Sequence, residues 1–299
     1  MADERLDTKP RGIKDAILDA QVRHMVFLER FQGGFASDLI STLADYDERI
    51  MFIVTEYVAR VFEDGLTPVQ REKILSELEA KLKEANDSAY ASAKATGMQT
   101  LSELVRHEMS FQAEVLEKSA SAFDYVLPAL VVASLSRRKV KNVAERHPVR
   151  DLTAPQWFNG MRDRRLGAIV GEVRSSLLDG ISESQVLRNI RGRASERFKD
   201  GVLGKYRRSM MTFSRTAVTA ISSRTLDEFA FANAGVVKFI QWVSVLDSRT
   251  SPVCIQRDGR LYEVGKGPRP PAHYNCRSRV SYVVKGEQKP HDITFPDWL

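Results

Sequence analysis

Cysteine is scarce in this chain, two in 299 residues. That scarcity excludes a disulfide-stapled secreted scaffold, which relies on several bridges to supplement a small core. Long apolar runs are missing as well. The longest, Val126 to Leu135 (VLPALVVASL), is about half of a membrane span and contains a proline, so no spanning helix is expected there. Met1-Ala-Asp-Glu-Arg carries mixed charge rather than a basic-then-apolar leader, so the expectation is a protein that stays in the compartment where it is made. The phosphate-cradling Gly-x-x-x-x-Gly-Lys-Ser/Thr loop and the Gly-x-Ser-x-Gly nucleophile elbow are both absent. His107-Glu108 begins like a zinc-protease helix, but Phe111 stands where that helix needs its second histidine. Gly265-Lys266-Gly267 is a lone glycine pair in a proline-rich loop and carries little weight.

What is present is a globular composition, 43% hydrophobic and 28% charged, with enough apolar material for a sizeable core. The length suits one large domain or two ordinary ones. The net charge of +6 is distributed unevenly. Arg137 to Arg215 holds 19 Lys and Arg against eight Asp and Glu, a local +11, so the rest of the chain sums to −5. Such a segment suits a polyanion, nucleic acid above all, although long helices also carry Arg and Lys for solubility and i,i+4 pairing. If the first reading holds, the DNA-contacting side chains are Arg137, Arg138, Lys139, Lys141, Arg162, Arg164, Arg165, Arg188, Arg191, Arg193, Lys205, Arg207 and Arg208. No base-reading module accompanies them, so sequence-specific recognition is not expected.

Apolar residues at Ile13, Ile17, Met25, Leu28, Phe31, Phe35, Leu39 and Leu43 recur at near-helical spacing and predict a helix from 11 to about 64, open to a kink at Gly33-Gly34. Gly65 and Thr67-Pro68 combine a helix stop with an N-cap and a first-turn proline. A charged helix is expected from Val69 to about Ala95, with Ile74, Leu75, Leu78 and Leu82 on one face. A third, from Thr100 to about Phe123, is expected to open on the capping box Thr100-x-x-Glu103. Asp151 to Trp157 reads as a linker and a new helix start. Gly180-Ile-Ser182-x-x-Gln185 ends one helix and caps the next, and Lys205 to about Asn233 is a further helix. Beyond Gly235 the alternating Val-Val-Lys-Phe-Ile-Gln-Trp-Val reads as strand, with shorter strands at Arg260–Val264 and Arg279–Val284. The fold class is α+β: long N-terminal helices, a basic helical middle and a small β-rich C-terminal unit. The expected divisions are 1–135, a helical arm or bundle, 136–234, basic and helical, and 235–299, β-rich.

Both cysteines, Cys254 and Cys276, fall in that last unit, with His273 three residues before the second. Two thiolates and an imidazole can meet on a zinc ion when a turn returns the chain, and Asp258-Gly259 is a hairpin signal placed to do so. A closed structural site needs a fourth ligand, for which Asp247, Asp258, His291 or water are the candidates. Three other readings stay open on the residues alone: buried thiols packed as small hydrophobes, a disulfide, and His273 simply capping a turn after Pro270-Pro271.

Taken together, these features resemble a known family. Arg215-Thr216 opens the set, followed by Gly235, Lys238 and Trp242. Then come Asp247-Ser-Arg249-Thr-Ser-Pro-Val-Cys254, Asp258-Gly259, and Pro270-Pro271-Ala-His273-Tyr-Asn-Cys276-Arg277-Ser278. Over roughly 155–283 the chain resembles the phage head morphogenesis family, the minor head proteins similar to the Mu F protein and the SPP1 minor capsid protein. The resemblance implies a non-enzymatic virion protein, inside the head near the portal vertex and in the host cytoplasm during assembly. Its implied role is head assembly and DNA packaging or delivery. The implied partners are the portal protein, coat or scaffolding protein, and double-stranded DNA without sequence specificity, with no membrane and with several copies per virion. Many members carry Cys-Pro-x-Cys at the first knuckle, whereas this chain has Ser251-Pro-Val-Cys254. The alternative is a zinc-dependent enzyme acting on nucleic acid through Cys254, His273 and Cys276, with Asp247 nearby.

Overall fold

The computed structural model describes residues 12–286. Its elements in chain order are α1 (Ile13–Val61), α2 (Pro68–Ala122), α3 (Arg137–Arg146), β1 (Pro148–Val149), β2 (Leu152–Thr153), α4 (Ala154–Leu178), α5 (Glu183–Arg191), α6 (Val202–Ala232), β3 (Val237–Val243), α7 (Pro252–Arg257), β4 (Leu261–Glu263) and β5 (Arg279–Val284). A 3-10 turn, Ala194–Glu196, precedes α6. Long helices followed by a small antiparallel sheet make the protein α+β, as its pattern of periodicities predicts.

The chain forms two compact units, and each takes several pieces of sequence. Among the described residues one contains 12–32, 101–153 and 215–286, the other 33–100 and 154–214. Helices α1, α2 and α6 each contribute to both. The first unit packs its sheet, in the order β4-β3-β5, against helical segments. Its core joins Ile13 and Ile17 of α1, Met109, Ala113 and Leu116 of α2, Leu226 and Phe229 of α6, and Val237, Ile240, Val280 and Tyr282 of the sheet. Burying such a set removes apolar surface from water at roughly 25 cal/mol per Å², the main drive for the unit to close. The central strand β3 pairs antiparallel with both neighbours, setting Trp242 opposite Val280 and Ile240 opposite Tyr262. The second unit is wholly helical. Ile50, Val54 and Val58 of α1 and Leu75, Leu78 and Leu82 of α2 meet Ile169 and Val173 of α4 and Val186 and Ile190 of α5.

Several expectations are met closely. The helix start after Gly65 forms as predicted: the Gln70 amide donates to Thr67 Oγ1 at 3.3 Å and the Thr67 amide to Gln70 Oε1 at 2.9 Å, a reciprocal cap. Others are corrected. Helix α1 runs through Gly33-Gly34 without a break, because the residues on both sides bury enough apolar surface to outweigh two weak helix formers. The two helices expected at 69–95 and 100–123 are one, α2, 55 residues long. Gly97 lies in the gap between the two expected helices, and the helix runs through it. A Cβ at that position would lie 2.7 Å from Phe158 Cζ, so the glycine is a notch into which the α4 ring packs. Asp258-Gly259 is not a two-residue hairpin. It ends α7, with the Asp258 amide donating to the carbonyls of Cys254 and Ile255 and Gly259 at φ +72°. Ser182 starts α5 through its backbone, without the side-chain bond to Gln185 that the capping pattern suggests.

Candidate metal centre and basic surface

Strand β3 delivers Trp242, fully buried, to the place where the C-terminal loops cross. Its indole N–H donates to Ser244 Oγ at 3.0 Å, and that hydroxyl donates in turn to the Cys254 carbonyl at 3.0 Å. The Ser244 amide donates to Asp258 Oδ1 at 2.7 Å, and the Gly259 amide returns to the Trp242 carbonyl at 2.9 Å. The Arg257 guanidinium lies over the indole, 5.2 Å from its centroid. Helix α7 is thereby tied at both ends to the strand, and Cys254 is held in its first turn.

The second half of the cluster hangs from α6. Thr216 Oγ1 accepts from the Asn275 amide at 3.1 Å, and Thr219 Oγ1 donates to the Cys276 carbonyl at 2.9 Å. Arg279, buried, donates to the Thr219 hydroxyl and to the Ser278 carbonyl. Pro271 follows a cis peptide at Pro270 in the loop leading to His273. Asp247 closes the opposite wall. It accepts both terminal nitrogens of Arg277, at 2.8 and 2.5 Å, and the Arg249 amide at 2.9 Å. The Arg277 fork, with the Arg249 amide, holds the Asp247 carboxyl well below the usual carboxylate range.

These supports bring Cys254, His273 and Cys276 together across 22 residues. The two sulfurs stand 3.7 Å apart, and Cys254 Sγ is 3.5 Å from His273 Nε2. Sulfurs sharing a tetrahedral zinc at about 2.3 Å stand about 3.7–3.8 Å apart, and sulfur and nitrogen about 3.5 Å. His273 Nδ1 donates to the Tyr274 carbonyl at 2.9 Å, which leaves the Nε2 lone pair facing the sulfurs. Both cysteines are free thiols and buried, at 2% and 1% exposure. Burial pushes the Cys254 thiol up from its ordinary value. Neither Asp247 nor Asp258 belongs to the cluster, since each is committed to the bonds just described, and His291 lies outside the described residues.

The structure also adds residues that the motif pattern does not single out. Ser244, Thr219 and Arg279 build the scaffold. Their types are too common for spacing to mark them. His24 and Glu108, 84 residues apart, form a second buried pair, Nε2 to Oε1 at 2.5 Å, with the His24 ring stacked on Phe111 at 3.7 Å. His107-Glu108, which fails as a protease motif, thus pairs through its glutamate with α1.

The predicted DNA-contacting residues divide between the units. Arg137, Arg138, Lys139 and Lys141 sit exposed on α3 in the first unit. Lys139 reaches Glu228 at 3.1 Å, and Lys141 stands 4.0 Å from Glu145. The others lie in the second unit. Arg164, Arg188, Arg191, Arg193, Lys205 and Arg208 are exposed or half-buried, with Arg193 paired to Asp200 at 2.6 Å, while Arg162 is half-buried beside Asp163. Arg188, Arg191 and Arg207 line a groove of about 770 Å³ together with Met51, Phe52 and Leu187. Arg165 is a correction. It is 1% exposed and ion-paired to buried Asp47, which also holds Arg207, so its charge is spent inside the unit and does not reach a polyanion.

Fold and knuckle together define an α+β protein whose C-terminal loops are organised around two thiols and an imidazole. Residues 168–281 match the family model described as Phage Mu protein F like protein. The matched segment takes in α5, α6, most of the sheet and every residue of the knuckle, and over it the chain is similar to the phage head morphogenesis family. No curated protein and no solved structure matches the chain. Among the described residues no helix is long and apolar enough to cross a membrane.

Proposed function

We propose that this protein is a minor head component that associates with the portal vertex, contacts DNA without sequence preference, and holds its C-terminal loops closed with a zinc ion. The observation that carries the reading is the family match over 168–281, which contains the whole knuckle. The donor set fits the metal: two sulfurs and one imidazole nitrogen at zinc-like separations, the histidine oriented by a carbonyl behind it. Cys254, Cys276 and His273 would hold the ion, which would cross-link α7 to the loop that α6 carries. The role assigned to it is structural. Asp247, the carboxylate of the run that leads to Cys254, is locked by the Arg277 fork and by the Arg249 amide, which leaves it poorly placed for general-base work. Exposed cations on α3 and along the groove of the second unit supply a sequence-independent phosphate contact, and the long helices suit a helical partner such as the portal.

Coexpression with a tagged portal protein tests the assignment. Retention of the untagged chain on the portal through a salt wash is expected. Retention no greater than that of an unrelated basic protein would count against it. Elemental analysis of the same preparation should find about one zinc per chain.

A further inference from the structure

We propose that the metal centre is held by three protein ligands and one exchangeable ligand, a water or small monodentate anion, seated in the cavity beside Ser251. This rests on reading the cluster as a metal centre. Ser251 occupies the position from which a first-knuckle thiolate would close the site, and a serine hydroxyl stays protonated at neutral pH and is a poor zinc ligand. It is also idle as a cap. Ser251 is the N-cap of α7, yet its side chain makes no capping bond, and its buried Oγ has no hydrogen-bond partner. A buried hydroxyl without a partner costs on the order of 1–3 kcal/mol unless something outside the chain satisfies it. The cavity it lines supplies the place.

That cavity has a volume of about 30 Å³ and is bounded by Ser251, Cys254, His273 and Thr250, with Arg249 and Arg277 on its walls. One water needs on the order of 10–15 Å³ of such volume and two to four polar partners, so the cavity holds one small ligand and little more. Two arginines and three hydroxyls, those of Thr250, Ser251 and Ser278, line its walls and favour an oxygen donor or a small anion over an apolar one. Access comes from an adjoining cleft of about 470 Å³ that shares Val245, Arg249, Asn275 and Arg277 with it. All of these residues lie in one unit. No carboxylate joins the three donors, so no described side chain competes for the fourth position.

Cobalt(II) provides the probe. The full chain is loaded with Co²⁺, its visible and near-ultraviolet spectrum is recorded, and sodium azide is titrated in. The expected result is a saturable shift of the visible bands in the wild-type protein, retained in Ser251→Ala. In Ser251→Cys the near-ultraviolet sulfur-to-metal band should grow and the azide response disappear. Cobalt retention against a chelator should then improve by at least about the tenfold that even outer-shell partners command. Cobalt bound with an azide-insensitive wild-type spectrum overturns the inference alone, as does loss of the wild-type bands in Ser251→Ala, which would make the hydroxyl itself the ligand. Failure to bind cobalt at all overturns the metal reading beneath it. The azide titration of the wild-type chain stands without either variant, so misfolding of one does not remove the test.

Discussion

Replacing Asp47 with asparagine removes the charge that two arginines share. Asp47 is 5% exposed, and Arg165, its closest partner, is 1% exposed. Two of the Arg165 nitrogens, Nε and Nη1, have no other hydrogen bond, and its guanidinium lies 5.9 Å from the Tyr90 ring centroid. Without Asp47 the buried cation keeps one weak aromatic neighbour and no counter-ion. Breaking one partner of a buried pair costs roughly 3–5 kcal/mol, far above the loss of an exposed one. For a helical unit of this size that corresponds to a fall in Tm on the order of 10 °C or more. Differential scanning calorimetry of the full chain checks it, with Arg49→Ala as control, because the Arg49–Glu84 pair at 3.4 Å is more than half exposed on both sides. The control should lose no more than about 0.5 kcal/mol. The double variant Asp47→Leu with Arg165→Met should recover most of the loss, since an apolar pair of similar volume avoids the desolvation cost. A loss below about 1 kcal/mol for Asp47→Asn would refute the claim that Arg165 is an internal rather than a nucleic-acid-facing charge.

Three further outcomes follow from the same structure. Gly97→Ala should destabilise the protein by roughly 1–3 kcal/mol despite its better helix propensity, because the new methyl meets a Phe158 ring held 4.8 Å from Phe213, a result read by chemical denaturation. Burial, with the Arg224 charge nearby, lowers His147 from 6.5 to about 4, so the folded chain favours neutral imidazole. The unfolded chain then binds the extra proton between those values. Stability is complete above pH 6.5 and falls as the pH drops towards 4, by up to roughly 3 kcal/mol, and His147→Gln should flatten the pH 6.5–5 part of that curve. Changing Arg137, Arg138, Lys139 and Lys141 to glutamine should reduce the salt dependence of DNA binding by about 0.9 in log–log slope for each phosphate no longer neutralised. The Asp47/Arg165 double variant should leave that slope unchanged in gel-shift titrations.

Much of the helical and strand layout is legible because it rests on local rules. The Thr67–Gln70 cap, the β-branched run of β3 and the glycine after α4 each declare themselves within a few residues. The break expected between Ala95 and Thr100 fails for the opposite reason. Gly97 lies in that gap, and its meaning lies in Phe158, 61 residues away, where no local rule can see it. The same limit applies to charge. Arg165 and Arg164 are neighbours in a basic stretch, yet the turn of α4 buries one against Asp47 and leaves the other in water. Composition registers both alike. At the knuckle, Cys254, His273 and Cys276 stand out by rarity, whereas Ser244, Thr219 and Arg279 carry the geometry in residue types too common to notice. The proposed fourth position is visible in sequence only as Ser251, three residues before Cys254. Its orphaned hydroxyl and the cavity beside it emerge only in three dimensions.

The central claim is that this chain works within the head, at the portal. Its most direct test is quantitative mass spectrometry of heads assembled from coat, scaffolding and portal proteins in the presence of the full chain, compared with heads assembled without portal. The account predicts that the protein sediments with portal-containing heads at a low, fixed ratio to the portal and is absent from heads made without it. Heads that form normally while the protein stays wholly in the soluble fraction would contradict it.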